Sequence, residues 1–219
     1  GRDVTITAQE KINTAQDTSF TFLFPTNDNA IPLTFDYGIL TVNNNAQAYT
    51  QGAANITARN VTLDGLGTNL GVIAASTAIN HASGKIGGFF AGGTVASSGA
   101  VSLHAKTDMT VKYSAVLPGF DNTRTRSAEN KMVNTTDAHI ANTTVTAPGN
   151  ISVLAEDVSQ ITAISFAATI GADGVFGVLA VAMGMADNNM SQTVTGYVDN
   201  STVNSTGGSV SVLATATPE

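Results

Sequence analysis

The sequence predicts an all-β chain wound into a parallel, right-handed β-helix, a β-solenoid built from repeats of about 50 residues. Three observations carry that expectation. A strand-like phrase, with branched apolar residues at alternate positions and an alanine at its end, recurs along the chain. Glycine, asparagine and serine punctuate the copies. Finally, 42% of the residues are hydrophobic and only 11% charged, and the polar remainder is mostly Thr, Ser, Asn and Gly. That mixture argues against disorder and suits strands and tight turns better than helix surfaces.

Taken in order, the alanine-ending phrases are "GRDVTITA" to Ala8, "GAANITA" to Ala58, "GAVSLHA" to Ala105, "GNISVLA" to Ala155 and "GSVSVLA" to Ala214. Their spacings are 50, 47, 50 and 59 residues. In the last four, a glycine (Gly52, Gly99, Gly149, Gly208) stands six residues before the alanine and is expected to supply a turn. A second phrase precedes that glycine in the later copies: "FFAGGTV" from Phe89, "HIANTTV" from His139 and "YVDNSTV" from Tyr197. Around "AQAYTQG" this phrase is matched only loosely. The repeat is clearest over 89–214. Residues 9–50 are irregular and read as a loop-rich elaboration, and "SFTFLFPTNDNAIPLTFDYG" (Ser19 to Gly38) matches nothing else.

Such a unit is either two coils of roughly 25 residues or one large coil, and the first is preferred. Parallel stacking at about 4.8 Å would bring equivalent turn residues together, so Asn142 and Asn200 are expected to form a short amide ladder. Both ends fall within the repeat, as expected of a piece of a longer protein.

The most unusual segment is "VFGVLAVAMGMA" (Val175 to Ala186), where Leu179, Val181, Met183 and Met185 alternate with alanines and a glycine. A strand of this kind would be buried on both faces, and its sharper reading is a self-association or packing strand. Two internal glycines count against a helix, and 12 uninterrupted apolar residues are short of a membrane-spanning one.

Chemistry is harder to find. There is no cysteine, which excludes disulfides, thiolate metal sites and cysteine nucleophiles. A net charge of −7, thinly spread, leaves no basic footprint for nucleic acid. His81, His104 and His139 show no metal-ligand spacing. His139 takes the place of Tyr197 one unit on, and His104 the place of Leu154 and Leu213, so both read as strand residues. The acids Asp121, Glu129, Asp137, Asp157 and Asp187 are scattered singly. A glycosidase would need two of them to converge, and a chain with no Trp and four Tyr is poor in sugar-stacking platforms. Calcium-roll, EF-hand, phosphate-loop and nucleophile-elbow motifs are absent, and "GADG" and "ADNN" read as turns. No catalytic residue, metal or cofactor is assigned. Eight Asn-x-Ser/Thr sequons carry no weight in so Asn- and Thr-rich a chain.

The phrases "AHIANTTVTAPGNISVLAED" and "GYVDNSTVNSTGGSVSVLATA" resemble the repeats of filamentous-haemagglutinin-like and leukotoxin-type filamentous adhesins of Gram-negative bacteria. Residues 89–105, 138–155 and 161–214 carry the likeness. The resemblance implies an exported, parallel β-helical segment at the bacterial cell surface, serving extension and attachment rather than catalysis. Its partner would be a surface receptor or glycan on a host or neighbouring cell, with lateral self-association as a further expectation. The segments 19–38 and 118–137 depart from the pattern and are expected to project as loops. Two alternatives remain: a polysaccharide-binding or polysaccharide-cleaving β-helix, and a membrane-active toxin passenger that inserts 161–186.

Overall fold

The structure is a computed structural model that describes residues 1–17, 19–25, 30–74, 77–119, 125–169 and 183–217. These are almost wholly strand: β1 (Val4–Asp17), β2 (Ser19–Pro25), β3 (Ala30–Gln51), β4 (Asn55–Ala58), β5 (Val61–Ala74), β6 (Thr77–Ser97), β7 (Val101–Gly119), β8 (Thr125–Ala147), β9 (Ile151–Asp157), β10 (Gln160–Thr169), β11 (Met183–Asp199), β12 (Thr202–Ser205) and β13 (Val210–Ala216). No helix occurs among the described residues.

The strands form two sheets. One runs β1-β5-β7-β9-β13, with β10 continuing alongside β7; the other runs β11-β8-β6-β3-β2, with β4 and β12 flanking β6 and β8. Every pairing is parallel except β2 with β3, which is antiparallel. The chain therefore alternates between sheets, and each strand lies on the one laid down a full circuit earlier. Val4 faces Val61, Val61 faces Val101, Val101 faces Ile151 and Ile151 faces Val210 along one sheet. Paired neighbours in this sheet are thus 40 to 59 residues apart, not roughly 25. The reason is strand length: β6, β7 and β8 span 21, 19 and 23 residues, so one passage along each sheet consumes the unit.

The register explains the recurrent alanine. Ala8, Gly65, Ala105, Ala155 and Ala214 form one inward row, and Ala48, Gly88, Ala138 and Gly196 form another in the opposite sheet. Their smallness lets the backbones approach. A Cβ added at Gly88 would sit 2.5 Å from the His104 carbonyl oxygen, and one at Gly65 would collide with the Gly87 carbonyl. The alanine marks a waist between the sheets, not merely the end of a phrase.

The same register moves one phrase. Ala58 is not in that row: "NITA" is β4, paired with Thr94–Ser97 in the other sheet, and the true equivalent of "VSLHA" is "VTLDG" from Val61 to Gly65. Both stretches alternate, so the pattern alone could not choose between them. Gly52 accordingly belongs to a different column, Gly52–Gly92–Asn142–Asn200, in which every residue has positive φ (71°, 101°, 51° and 42°). The chain turns a left-handed corner here in each circuit, using the residue types that tolerate it. Asn200 Nδ2 donates to Asn142 Oδ1 at 2.6 Å along this column.

Gly99, Gly149 and Gly208 serve closeness instead of a positive φ. A Cβ on Gly149 would lie 2.7 Å from the Gly99 carbonyl oxygen, and one on Gly208 2.5 Å from Asn150 Oδ1. Beside them, side-chain oxygens cap the next circuit: Ala100 N donates to Asn60 Oδ1 and Ser209 N to Asn150 Oδ1, each at 3.0 Å.

Regular strand also covers most of what reads as irregular. Residues 9–17 lie in β1, 37–51 run parallel to β6, and 125–137 lie in β8, so the last are not a projecting loop. Polar residues can occupy the interior of β8 because they bond along their column. Asn80 Nδ2 donates to Asn130 Oδ1 at 2.5 Å, and Asn130 Nδ2 to Asn188 Oδ1 at 2.7 Å. Residues 19–25 and 30–36 do depart from the parallel pattern, pairing antiparallel as β2 with β3. Leu179 and Val181 lie outside the described residues. Met183 opens β11 opposite Thr125, and Met185 stands 58% exposed.

Candidate functional site

On the outer face of the β3-β6-β8-β11 sheet, one column reads Tyr49, Phe89, His139 and Tyr197. Parallel register places each ring over the last. Centroids are 5.1, 4.5 and 4.7 Å apart and interplanar angles are 10°, 8° and 7°, an unbroken stack across four strands. Tyr49 and Tyr197, at its ends, are the most open, at 44% and 41% exposed. Face-to-face stacking consumes the inner ring faces, so the ladder offers its ring edges to solvent.

The adjacent column is Gln47, Gly87, Asp137 and Thr195. Where Gly87 has no side chain, the surface dips between Lys85 and Phe89 into a groove of about 350 Å³ floored by the strand backbone at Ile86 and Gly87. Asp137 is held on one side of it by two donors: Thr195 Oγ1 donates to Oδ1 at 2.7 Å, and His139 Nδ1 lies 2.6 Å from Oδ2. Burial alone raises the Asp137 carboxyl's pKa. Hydrogen bonds from His139 and Thr195, and the charges of His139 and Lys85, outweigh that effect and leave it below its ordinary value. Partial burial, followed by the Asp137 and Asp199 charges, pushes the Tyr197 phenol up.

The order of these groups matters for chemistry. The hydroxyl bonds the carboxylate, not the imidazole, so Asp137 separates Thr195 from His139 and no relay runs from the base to a nucleophile. The arrangement is a rigid, polar-rimmed recess.

The remaining acids and histidines are dispersed. His104 lies opposite Leu154, and Leu154 opposite Leu213, in one outward column. Glu156 is flanked by Lys106 at 3.0 Å and His104 at 3.7 Å, and the Lys106 hydrogen bond, chiefly, holds its carboxyl low. His81 Nε2 stands 3.8 Å from Glu129, which neighbours Asp187 across the strand pair. Asp157 points inward and is fully buried, accepting from Ser159 N at 3.0 Å. Asp121 lies outside the described residues. Among the described residues no three His, Asp or Glu side chains cluster as metal ligands.

The ladder's signal was present in the sequence as the shared first position of "FFAGGTV", "HIANTTV" and "YVDNSTV". Counting aromatics hides it; aligning them exposes it. No protein-family model, no curated protein and no solved structure matches this chain.

Proposed function

We propose that this chain is a segment of a right-handed parallel β-solenoid, part of a large exported bacterial surface protein. It acts outside the cell as a non-catalytic, cofactor-free element of extension and attachment. The supporting observation is the register: outside the β2–β3 pair the strands of both sheets pair in parallel with strands about 40 to 60 residues away, and inward positions such as Val61–Val101–Ile151 and Asn80–Asn130 stack like on like. A stack of this kind lengthens by adding circuits, since each circuit contacts only its neighbours. It gives reach together with two broad outer faces on which receptor- or glycan-binding rows can be written.

Display of the chain on a non-adherent bacterium tests this. More attachment to epithelial cells, or between the bacteria themselves, than for the bare strain is expected. Attachment at the bare level would sink the reading. The polysaccharide-binding alternative is favoured over the cleaving one by a specific feature, the aromatic ladder with its recess. The membrane-active alternative rests on 161–186, of which 170–182 lie outside the described residues. Liposome leakage that depends on that stretch would favour it.

A further inference from the structure

We infer that the groove at Gly87 is a binding site for a neutral oligosaccharide, taken up beside the edges of the aromatic ladder. This rests on the surface-attachment reading and gives it a ligand class. Three features of the groove select that chemistry.

The first is charge. Lys85 can only donate hydrogen bonds and Asp137 can mainly accept them, and they lie on neighbouring strands on either side of the Gly87 dip. A net anion would be repelled by Asp137 and a net cation by Lys85. A pair of adjacent hydroxyls, each both donor and acceptor, satisfies the two at once.

The second is order. Thr195 and His139 hold both oxygens of Asp137, and His139 is itself clamped between Phe89 and Tyr197. The polar group a ligand would meet is therefore already in place, which lowers the entropic cost of binding.

The third is shape. About 350 Å³ is at the small end of ligand sites and suits a disaccharide. Backbone groups on both sides of Gly87 are engaged in their own parallel ladder, so the groove offers no sheet edge for an extended peptide to join. Between its polar groups lies the Phe89 edge, an apolar patch that matches the C–H surface of a pyranose.

Gly87→Val fills the recess while leaving the strand intact. The added Cβ meets only movable side-chain atoms, Phe89 Cε1 at 3.2 Å and Gln47 Cγ at 3.3 Å, and valine favours strands. The experiment is an amide-resolved NMR titration of the wild-type chain, Gly87→Val and Lys85→Met with lactose and with maltose. Glucuronate and glucosamine serve as charged controls. Expected are shifts centred on 85–89, 135–139 and 195–197 with a neutral disaccharide and weaker response to both charged sugars. Gly87→Val should weaken binding at least about tenfold with its melting temperature retained, and Lys85→Met should weaken it several-fold. No response to either disaccharide, or a Gly87→Val variant that binds like wild type, overturns the proposal. If the displayed wild-type chain attaches to cells and Gly87→Val attaches equally, the groove fails as the adhesive site while the attachment reading stands. If wild type binds sugar but never attaches, the attachment reading fails instead.

Discussion

On one side of the alanine–glycine waist the space between the sheets holds Val61, Leu63, Phe90, Val101, Leu103, Ile140, Val145, Ile151 and Val153, each no more than 1% exposed. On the other side it holds Asn44, Asn69, Asn80, Thr107, Asn130, Asn134, Thr136, Asp157 and Ser159, equally buried to within 2%, among Met109, Val111, Tyr113 and Met132. The same two sheets thus enclose an oily half and a mixed half, where amides and hydroxyls share the interior with Leu40, Val42, Ile86 and the methionines. The difference teaches that parallel in-register stacking relaxes the usual demand for an apolar core. A polar side chain repeated at one position meets its own kind a strand away, as in Asn80–Asn130–Asn188, and hydrogen-bonds to it there. Across the gap the same economy appears where Thr107 and Thr136 share a hydrogen bond at 2.6 Å and Asn134 Nδ2 donates to Ser159 Oγ at 2.8 Å.

Breaking the waist should hurt most, because it holds both halves together. In Gly88→Val the new side chain meets the His104 and Leu63 carbonyls, backbone that cannot rotate aside. A loss of more than about 4 kcal/mol is expected, seen as absent cooperative unfolding by circular dichroism. Single deletions in each half then compare the two cores. Leu103→Ala should cost about 2–5 kcal/mol through its cavity, and Asn130→Ala about 1–3 kcal/mol by stranding the buried amide of Asn80. A urea series in which Asn130→Ala is silent would show that the amide column is ornamental.

Asn69 sharpens the contrast. Neither of its amide atoms has a hydrogen-bond partner among the described residues, although it is 2% exposed. Asn69→Leu should therefore raise stability by about 1 kcal/mol, the opposite sign to Asn130→Leu. Matching signs for the two leucine variants would dismiss the ladder explanation.

The smallest effect is that of acid on the surface. Asp3 is drawn down to about 2, first by the Arg59 hydrogen bond, and Asp137 also lies below its ordinary value. Groups lowered on folding contribute stability above the ordinary carboxylate range of about 4, and lose it as pH falls through the lowered value. Melting temperatures of wild type and Asp137→Asn should converge as pH falls from about 4 to about 2, where the Asp137 contribution disappears; the gap at neutral pH reflects about 1 kcal/mol or less for a group that is only partly buried. A gap that widens in acid would contradict the assigned direction.

The oily half was legible in the sequence. "VSLHA" and "ISVLA" state it outright, and Val101, Leu103, Ile151 and Val153 are where alternation puts them. The mixed half was not: "RTRSAENKMVNTTD" contains Asn130, Met132, Asn134 and Thr136 at alternate positions, but nothing in one copy says that an asparagine will find another above it. The candidate site divides the same way. His139 standing for Tyr197 was visible as an alignment, whereas the Gly87 recess and the Thr195–Asp137–His139 bonding needed two neighbouring strands side by side.

By itself, then, the sequence determined that this chain is β throughout, parallel in character, and turned at Asn142 and Asn200, because alternation and tolerance of positive φ are properties of single residues and their near neighbours. Circuit length, the assignment of "NITA" and "VTLDG" to different sheets, the waist and the aromatic ladder were decided by tertiary structure. Each depends on which residues 40 to 59 positions apart come to lie one strand apart, and the spacing of like phrases leaves that register open until the strands pair.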